Sequence, residues 1–120
     1  MLGPHRVLPG RLSVSRTFGD IEAKVSKYGG NPNVIIAEPE IKSFQVKDDY
    51  DFVLLGCDGV FDKLTNKEII DQIWKTARSS TGSIHAISGQ CAEMTLKLSL
   101  AKRTLDNVTA VMVTFGSFKN

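Results

Sequence analysis

The sequence predicts an α+β fold with a mostly antiparallel sheet and two helices. Residues 52–57 and 108–113 are apolar runs rich in branched and aromatic side chains, which is typical of buried strands. Between these runs, residues 65–77 and 83–103 repeat their apolar side chains at helical spacing. The strands are grouped first, the helices follow as a pair, and one strand ends the order. This arrangement favours an α+β fold over a regular alternation of strands and helices.

Composition excludes several classes of protein. The length of 120 residues favours one domain, and 42% hydrophobic with 23% charged residues is ordinary for a globular domain. A net charge of +2 with scattered basic residues argues against nucleic-acid binding. No run is apolar enough to span a membrane, and no signal-peptide pattern is present. Cys57 and Cys91 are expected to be free, buried and inert thiols, which favours an intracellular location, cytoplasmic or nuclear.

The first predicted strand covers residues 11–18, where polar and apolar side chains alternate. Leu12, Val14 and Phe18 share one face. Arg16 falls on that same face, where a charge is costly unless it meets a carboxylate or another anion. The alternative is that the arginine extends to the edge of the sheet and stays in water.

An irregular loop and two short strands are expected next. Residues 21–34 contain a dense cluster of glycine, asparagine and proline, which breaks regular structure. Residues 34–37 and 41–46 are apolar enough for two short strands, interrupted at Pro39. The region before the buried 52–57 strand is therefore predicted to add strands to the sheet.

The two helices have recognisable ends. Thr65 and Glu68 match a capping box, in which each side chain satisfies a free backbone amide of the first turn. The second helix is expected over about 83–103, with basic residues at its C-terminal end, where the helix dipole is negative. Its expected buried stripe contains these residues: Ile84, Ile87, Cys91, Met94, Leu98 and Ala101. The last strand should end near Phe115, and residues 116–120 are expected to fray.

Two aspartates stand at the ends of the two apolar runs. Asp58 follows the first run and Asp106 precedes the second. If these strands pair antiparallel, both carboxylates lie at one rim of the sheet, where they repel unless a cation sits between them or one is protonated. Oxygen ligands favour Mg²⁺, Mn²⁺ or Ca²⁺. The simpler interpretation is that Asp58-Gly59 and Asp106-Asn107 are only turns.

Four segments together resemble the metal-dependent protein serine/threonine phosphatases of the 2C class. Residues 12–20 read LSVSRTFGD and resemble the family's VSRxFGD motif. Residues 38–41 read EPEI and are similar to its PE(V/I) step. Residues 51–62 read DFVLLGCDGVFD and resemble its DxFLxLASDGLWD motif, and residues 106–109 read DNVT and resemble its DN(I/V)T motif. The segments occur in family order and cover most of the chain.

The resemblance implies a phosphatase β-sandwich flanked by helices, with a binuclear Mg²⁺ or Mn²⁺ centre. In that scheme a metal-activated water hydrolyses phosphoserine or phosphothreonine. Asp58 and Asp106 match family positions that bind metal. Asp62, Gly59 and Asn107 are expected around them, with Asp62 at a metal-bound water or an accessory metal. No further catalytic residue is assigned.

The resemblance also gives expectations for the first half of the chain. Arg16 and Asp20 are expected to support the site structurally. The loop at about 21–34 matches the family's flap beside the active site. Its Lys24 and Lys27 would influence which phosphoprotein binds, unless the loop is a plain solvated one.

The family's N-terminal motifs do not occur in these 120 residues. Those motifs, an acidic ED step and DGHGG, hold the bridging metal ligand, and a further arginine grips the phosphate. Residues 1–120 are therefore expected to be the C-terminal part of a catalytic domain and inactive alone, with a site that binds metal incompletely. The exposed sheet would be covered by a second copy or by the missing N-terminal segment. The alternative function is a non-catalytic regulatory or binding fragment, similar to a pseudophosphatase.

Overall fold

A computed structural model describes residues 5–8 and 10–118. The chain divides into two compact units, Met1–Phe44 and Gln45–Asn120. The residues of each unit pack mainly against other residues of the same unit. Among the described residues, no helix is long and apolar enough to cross a membrane.

The first unit contains little regular structure. A short helix, α1, covers Ile21–Lys24, and a single 3-10 turn covers Ser26–Tyr28. Ala23 and Ile35 are buried. Gly30 packs directly on α1, because a Cβ there would lie 2.5 Å from the backbone carbon of Ala23. The loop predicted over 21–34 is therefore partly helical.

The strands predicted over 11–18, 34–37 and 41–46 do not form in the described chain. Among the described residues of this unit, strand pairing is limited to isolated bridges between Val7 and Leu12 and between Arg16 and Ile36. A strand needs a partner backbone along its whole length. The first two segments find one at single positions, and residues 41–46 make no bridge in the described chain. Leu12 is consequently only half-buried, and Val14 and Phe18 stay exposed to water, Phe18 by 83%.

The second unit contains the predicted antiparallel pair. Strand β1 (Phe52–Gly56) pairs with strand β2 (Ala110–Thr114), and Gly56 lies opposite Ala110. The two strands are the only ones among the described residues, so the sheet is smaller than expected. The α+β class is confirmed, with an antiparallel sheet packed on helices.

Three helices lie between the strands. Helix α2 covers Asp58–Phe61, α3 covers Asn66–Ser79 and α4 covers Ile84–Ala101. The capping box at α3 is confirmed, since the Thr65 hydroxyl accepts from the Glu68 amide and the Glu68 carboxylate accepts from the Thr65 amide. Helix α2 is additional to the two helices that the sequence predicts.

The buried face of α4 differs from the predicted stripe. Its fully buried positions are Ile87, Cys91, Thr95 and Ser99, which are spaced by four residues. Ala101 is exposed instead. The two small polar residues are buried because their hydroxyls find acceptors, Thr95 at the Cys91 carbonyl and Ser99 at the Gly59 carbonyl.

The sheet has one covered and one open face. Phe52, Leu54 and Met112 pack against the helical core. That core consists of Val60, Leu64, Ile69, Ile73, Ala77, Ile87, Cys91 and Phe118. The opposite face carries Leu55 and Val111, each 54% exposed, which are partners across the two strands.

The predicted fraying of residues 116–120 is wrong for its first part. Phe118 is buried, and its ring lies 5.8 Å from that of Phe52 and 5.4 Å from that of Trp74. The Ser117 hydroxyl donates to the Tyr50 carbonyl. An aromatic residue close to a chain end is thus drawn into the core by packing that local sequence does not reveal. Residues 119 and 120 lie outside the described chain.

Candidate functional site

Asp58 and Asp106 come to the same end of the two-stranded sheet. Asp58 begins α2 directly after β1, and Asp106 lies just before β2. Since Gly56 and Ala110 face each other at this end, the segments that leave the sheet there are neighbours. A cleft of about 240 Å³ forms between them, lined by Asp58, Gly59, Asp62, Lys63, Thr104, Leu105 and Asp106.

Each of the two carboxylates is oriented by the backbone of its own turn. Oδ1 of Asp58 accepts from the Gly59 amide at 2.9 Å, and Oδ1 of Asp106 accepts from the Asn107 amide at 2.8 Å. Within the described chain, Oδ2 of each carboxylate has no hydrogen-bond or ion-pair partner. These bonds fit the turn interpretation, and they also leave one oxygen of each aspartate open to the cleft.

Asp62 and Lys63 add opposite charges to the cleft. Asp62 follows α2, and its amide donates to the Asp58 carbonyl at 2.8 Å, so a single helical turn links the two aspartates. Lys63 is the one basic residue among the described ones that lines the cleft, and sequence reasoning missed it. Its position directly after the GCDGVFD run and next to Asp62 was the available signal.

The donor set fits a hard divalent cation, but only in part. Among residues 5–8 and 10–118, no group of three or more His, Cys, Asp or Glu side chains lies close enough together to hold a metal ion. Asp58 and Asp106 offer carboxylate oxygens, the ligand type that Mg²⁺ and Mn²⁺ prefer. Mg²⁺ also requires nearly octahedral coordination. Two carboxylates therefore supply a minority of the ligands, and water or other protein atoms must supply the rest.

The two predicted supporting residues lie in the first unit. Nη1 of Arg16 donates to the Glu38 carbonyl at 2.9 Å, and its Nε lies 3.9 Å from the Glu40 carboxylate. The arginine thus meets a carboxylate while its side chain stays 44% exposed to water, so the structure combines the two predicted alternatives. These contacts link the VSRTFGD segment to the EPEI segment. Asp20 adopts a left-handed backbone at the start of α1 and makes no side-chain capping bond.

The two lysines of the flap are engaged locally. Nζ of Lys24 donates to the Thr17 carbonyl at 2.5 Å. Nζ of Lys27 lies 5.7 Å from the ring centroid of Tyr28. Contact of either lysine with a phosphoprotein stays a prediction.

Cys57 is another residue whose surroundings sequence reasoning missed. It is free, as expected, but it is only partly buried, and its sulfur bonds to the segment that follows Asp106. Cys91 forms no disulfide and is fully buried, as predicted. The sequence placed Cys57 in an apolar strand, which gave no signal for a polar role.

Comparison with known proteins matches these motifs to one family. The family model described as protein phosphatase 2C matches residues 5–108, which contain the VSRTFGD, EPEI and GCDGVFD segments. The chain belongs to the protein phosphatase 2C family. The resemblance on which the sequence predictions were based is therefore confirmed.

Individual relatives agree with this assignment. The chain is 33% identical over 112 residues to probable protein phosphatase 2C 60 of Arabidopsis thaliana, covering 88% of this chain and 30% of that protein. It is 36% identical over 110 residues to probable protein phosphatase 2C 3 of Paramecium tetraurelia, covering 87% of this chain and 36% of that protein. The chain thus spans about a third of the length of the curated protein phosphatase 2C relatives it matches.

Proposed function

We propose that this chain supplies part of the catalytic site of a metal-dependent protein serine/threonine phosphatase. Asp58 and Asp106 would hold Mg²⁺ or Mn²⁺ at the cleft, and phosphoserine or phosphothreonine in a signalling phosphoprotein would be the substrate. The observation that carries the proposal is that both aspartates line one cleft at one end of the β1–β2 pair, in a member of the protein phosphatase 2C family.

Each residue of the cleft would have a different role in binding metal and phosphate. Bound divalent cations lower the pKa of water and neutralise charge on a phosphoryl group. Gly59 and Asn107 fix the two metal-binding carboxylates through their amides. Asp62 adds negative charge beside the metal position, where it would orient water. Lys63 adds a positive charge that favours a phosphate near the cleft.

We propose that the isolated chain does not turn over substrate. Two carboxylates cannot complete a binuclear site, because each metal needs several oxygen ligands and the bridging position needs an acidic group. Asp62 lines the same cleft, but no group of three or more His, Cys, Asp or Glu side chains in the described chain lies close enough together to hold a metal ion. The remaining ligands would come from the family's N-terminal motifs, which the 120-residue sequence lacks.

We also propose that another polypeptide covers the open face of the sheet. Val53, Leu55, Val111 and Val113 lie on the face away from the helices, and three of them are about half exposed. Such a continuous apolar surface is commonly covered by another structure. A second copy of the chain or the N-terminal part of a phosphatase would cover it. The two free cysteines fit an intracellular setting.

A non-catalytic regulatory or binding fragment is the second candidate function. The observation that favours it is again the small donor set, since an incomplete site binds metal weakly and leaves the cleft open. In that case the cleft would bind a phosphoprotein or a partner without hydrolysing it.

Hydrolysis and metal binding test the two candidates separately. We expect the purified chain to hydrolyse no p-nitrophenyl phosphate with Mn²⁺, and to bind Mn²⁺ in a manner that Asp58→Asn and Asp106→Asn abolish. Asp49→Asn is the matched control, because Asp49 is an exposed aspartate before β1, at the opposite end of the sheet. Turnover that a chelator and Asp58→Asn both remove would refute the inactivity. Mn²⁺ binding that is unchanged in Asp58→Asn would refute the metal site.

A further inference from the structure

Cys57 stands at the position where the sheet gives way to helix α2. In the antiparallel ladder, Cys57 lies opposite Thr109, one residue beyond the Gly56–Ala110 pair. The Cys57 amide donates to the Thr109 carbonyl at 3.3 Å, so one half of the expected pair of backbone bonds forms. A regular ladder would complete the pair with a bond from the Thr109 amide to the Cys57 carbonyl.

That second bond is absent, because the Cys57 carbonyl already accepts hydrogen bonds from amides of α2. It accepts from the amides of Val60 and Phe61, at 3.0 and 3.2 Å, and so starts α2. The Thr109 amide donates instead to the sulfur of Cys57, at 3.3 Å. The thiol thus takes the place of a backbone acceptor at the last rung of the sheet.

The same thiol also acts as a donor. Its sulfur lies 3.2 Å from the Asn107 carbonyl oxygen, which accepts the S–H. Cys57 directly precedes Asp58, and Asn107 directly follows Asp106, so this bond joins the two aspartate segments next to the carboxylates.

Two further contacts fix the Asp58 side of this junction. Gly59 lies so close to Asn107 that a Cβ would be 2.0 Å from its carbonyl oxygen. The fully buried Ser99 hydroxyl of α4 donates to the Gly59 carbonyl at 2.6 Å. The Asn107 carbonyl therefore lies between the Cys57 thiol and the Gly59 backbone. The hydrogen bond from Ser99 of α4 fixes the position of that Gly59 backbone.

We propose that Cys57 is a positioning residue for metal binding: its thiol holds the Asp106 segment against the Asp58 segment and so sets the separation of the two carboxylates. This inference rests on the proposed metal site. Cys57 is not itself a ligand, because its sulfur is occupied by the Thr109 amide and the Asn107 carbonyl.

Amide hydrogen exchange and Mn²⁺ titration of the 120-residue chain, both followed by NMR, test the proposal. In Cys57→Ala we expect the Thr109 amide to exchange faster and the Val113 amide to exchange as in the wild type. We also expect the Mn²⁺ affinity, measured from the broadening of signals at the cleft, to fall about tenfold, which is typical when a residue that orients metal ligands is lost. Cys57→Ser should recover most of both properties, because a hydroxyl also donates and accepts.

Cys91→Ala is the matched control. It removes the fully buried thiol of the second cysteine, so it should lower stability without changing Thr109 exchange or the Mn²⁺ response. Cys57→Val, which also lacks a donor and an acceptor but fills more volume, replaces Cys57→Ala if that variant does not fold. Wild-type exchange and wild-type Mn²⁺ response in either variant would overturn the proposal. A wild-type chain without Mn²⁺ broadening overturns the proposed metal site instead, and Thr109 exchange then still decides whether the thiol joins the two segments.

Discussion

Replacing Gly59 with alanine should damage the cleft more than any comparable change elsewhere. The new Cβ would lie 2.0 Å from the carbonyl oxygen of Asn107, 3.0 Å from its carbonyl carbon and 3.3 Å from Cγ1 of Val108. These neighbours are mostly backbone and cannot rotate away. The Asp106–Asn107 segment must therefore move by about 1 Å, a displacement of the size that can cost two orders of magnitude in catalytic rate.

The stability cost of Gly59→Ala can be set against a control in the same unit. Overpacking of this kind typically costs about 1–3 kcal/mol. Gly89 also lies in a helix, α4, but a Cβ there would meet nothing within 4 Å. Gly89→Ala should therefore stabilise the chain, by up to about 1 kcal/mol, through the helix propensity of alanine alone.

Urea unfolding and Mn²⁺ titration of both variants make the comparison. We expect Gly59→Ala to lower the unfolding midpoint and weaken Mn²⁺ binding, and Gly89→Ala to raise the midpoint and leave Mn²⁺ binding unchanged. If Gly59→Ala unfolds at the same urea concentration as Gly89→Ala and binds Mn²⁺ as the wild type does, the close approach at Asn107 does not position the site.

Three further predictions concern the rest of the second unit. A hydrogen bond from Lys102 lowers the pKa of Glu68 from 4.5 to about 2. The ionised Glu68 carboxylate therefore stabilises the folded chain fully above about pH 4.5, and this stabilisation is lost as the pH falls towards 2. Thermal melts should show that Glu68→Gln reduces this acid-induced loss, and an unchanged pH profile would contradict it. Phe118→Ala should lower the free energy of unfolding in urea by about 3 kcal/mol, since it empties a buried aromatic site; a change below about 1 kcal/mol would mean that the chain end does not contribute to the core. Leu55→Lys with Val111→Lys should abolish concentration-dependent self-association in light scattering, and a wild-type chain that stays monomeric at high concentration would contradict a second copy as the cover of this face.

Local signals in the sequence predicted the second unit well. The capping box at Thr65 and Glu68 and the two apolar runs depend on residues near each other in the chain, and both formed as expected. The antiparallel pairing followed from the same runs and brought Asp58 and Asp106 to one cleft. Physical rules with a period or a fixed spacing were sufficient for these features.

The failures involve contacts between distant residues. Alternation over residues 11–18 predicts a strand only if a partner backbone runs alongside, and sequence cannot show that Arg16 finds its partner at a single position. Phe118 is buried by Phe52 and Trp74, which lie far from it in the chain. Cys57 looked like an ordinary apolar strand residue, because its polar contacts are made by residues about fifty positions away.

Each residue of the segment 56–59 has a different structural role beside the cleft. A Cβ on Gly56 would come within 2.9 Å of the Phe61 ring, which folds back over the end of β1. Cys57 replaces the backbone acceptor that α2 has taken from the ladder. Gly59 lets the Asn107 carbonyl approach, and Asp58 is the acidic residue of these four that lines the cleft. Three residues of the segment thus serve to place the fourth, so a change at Gly56, Cys57 or Gly59 should impair metal binding even though none of their side chains is a ligand.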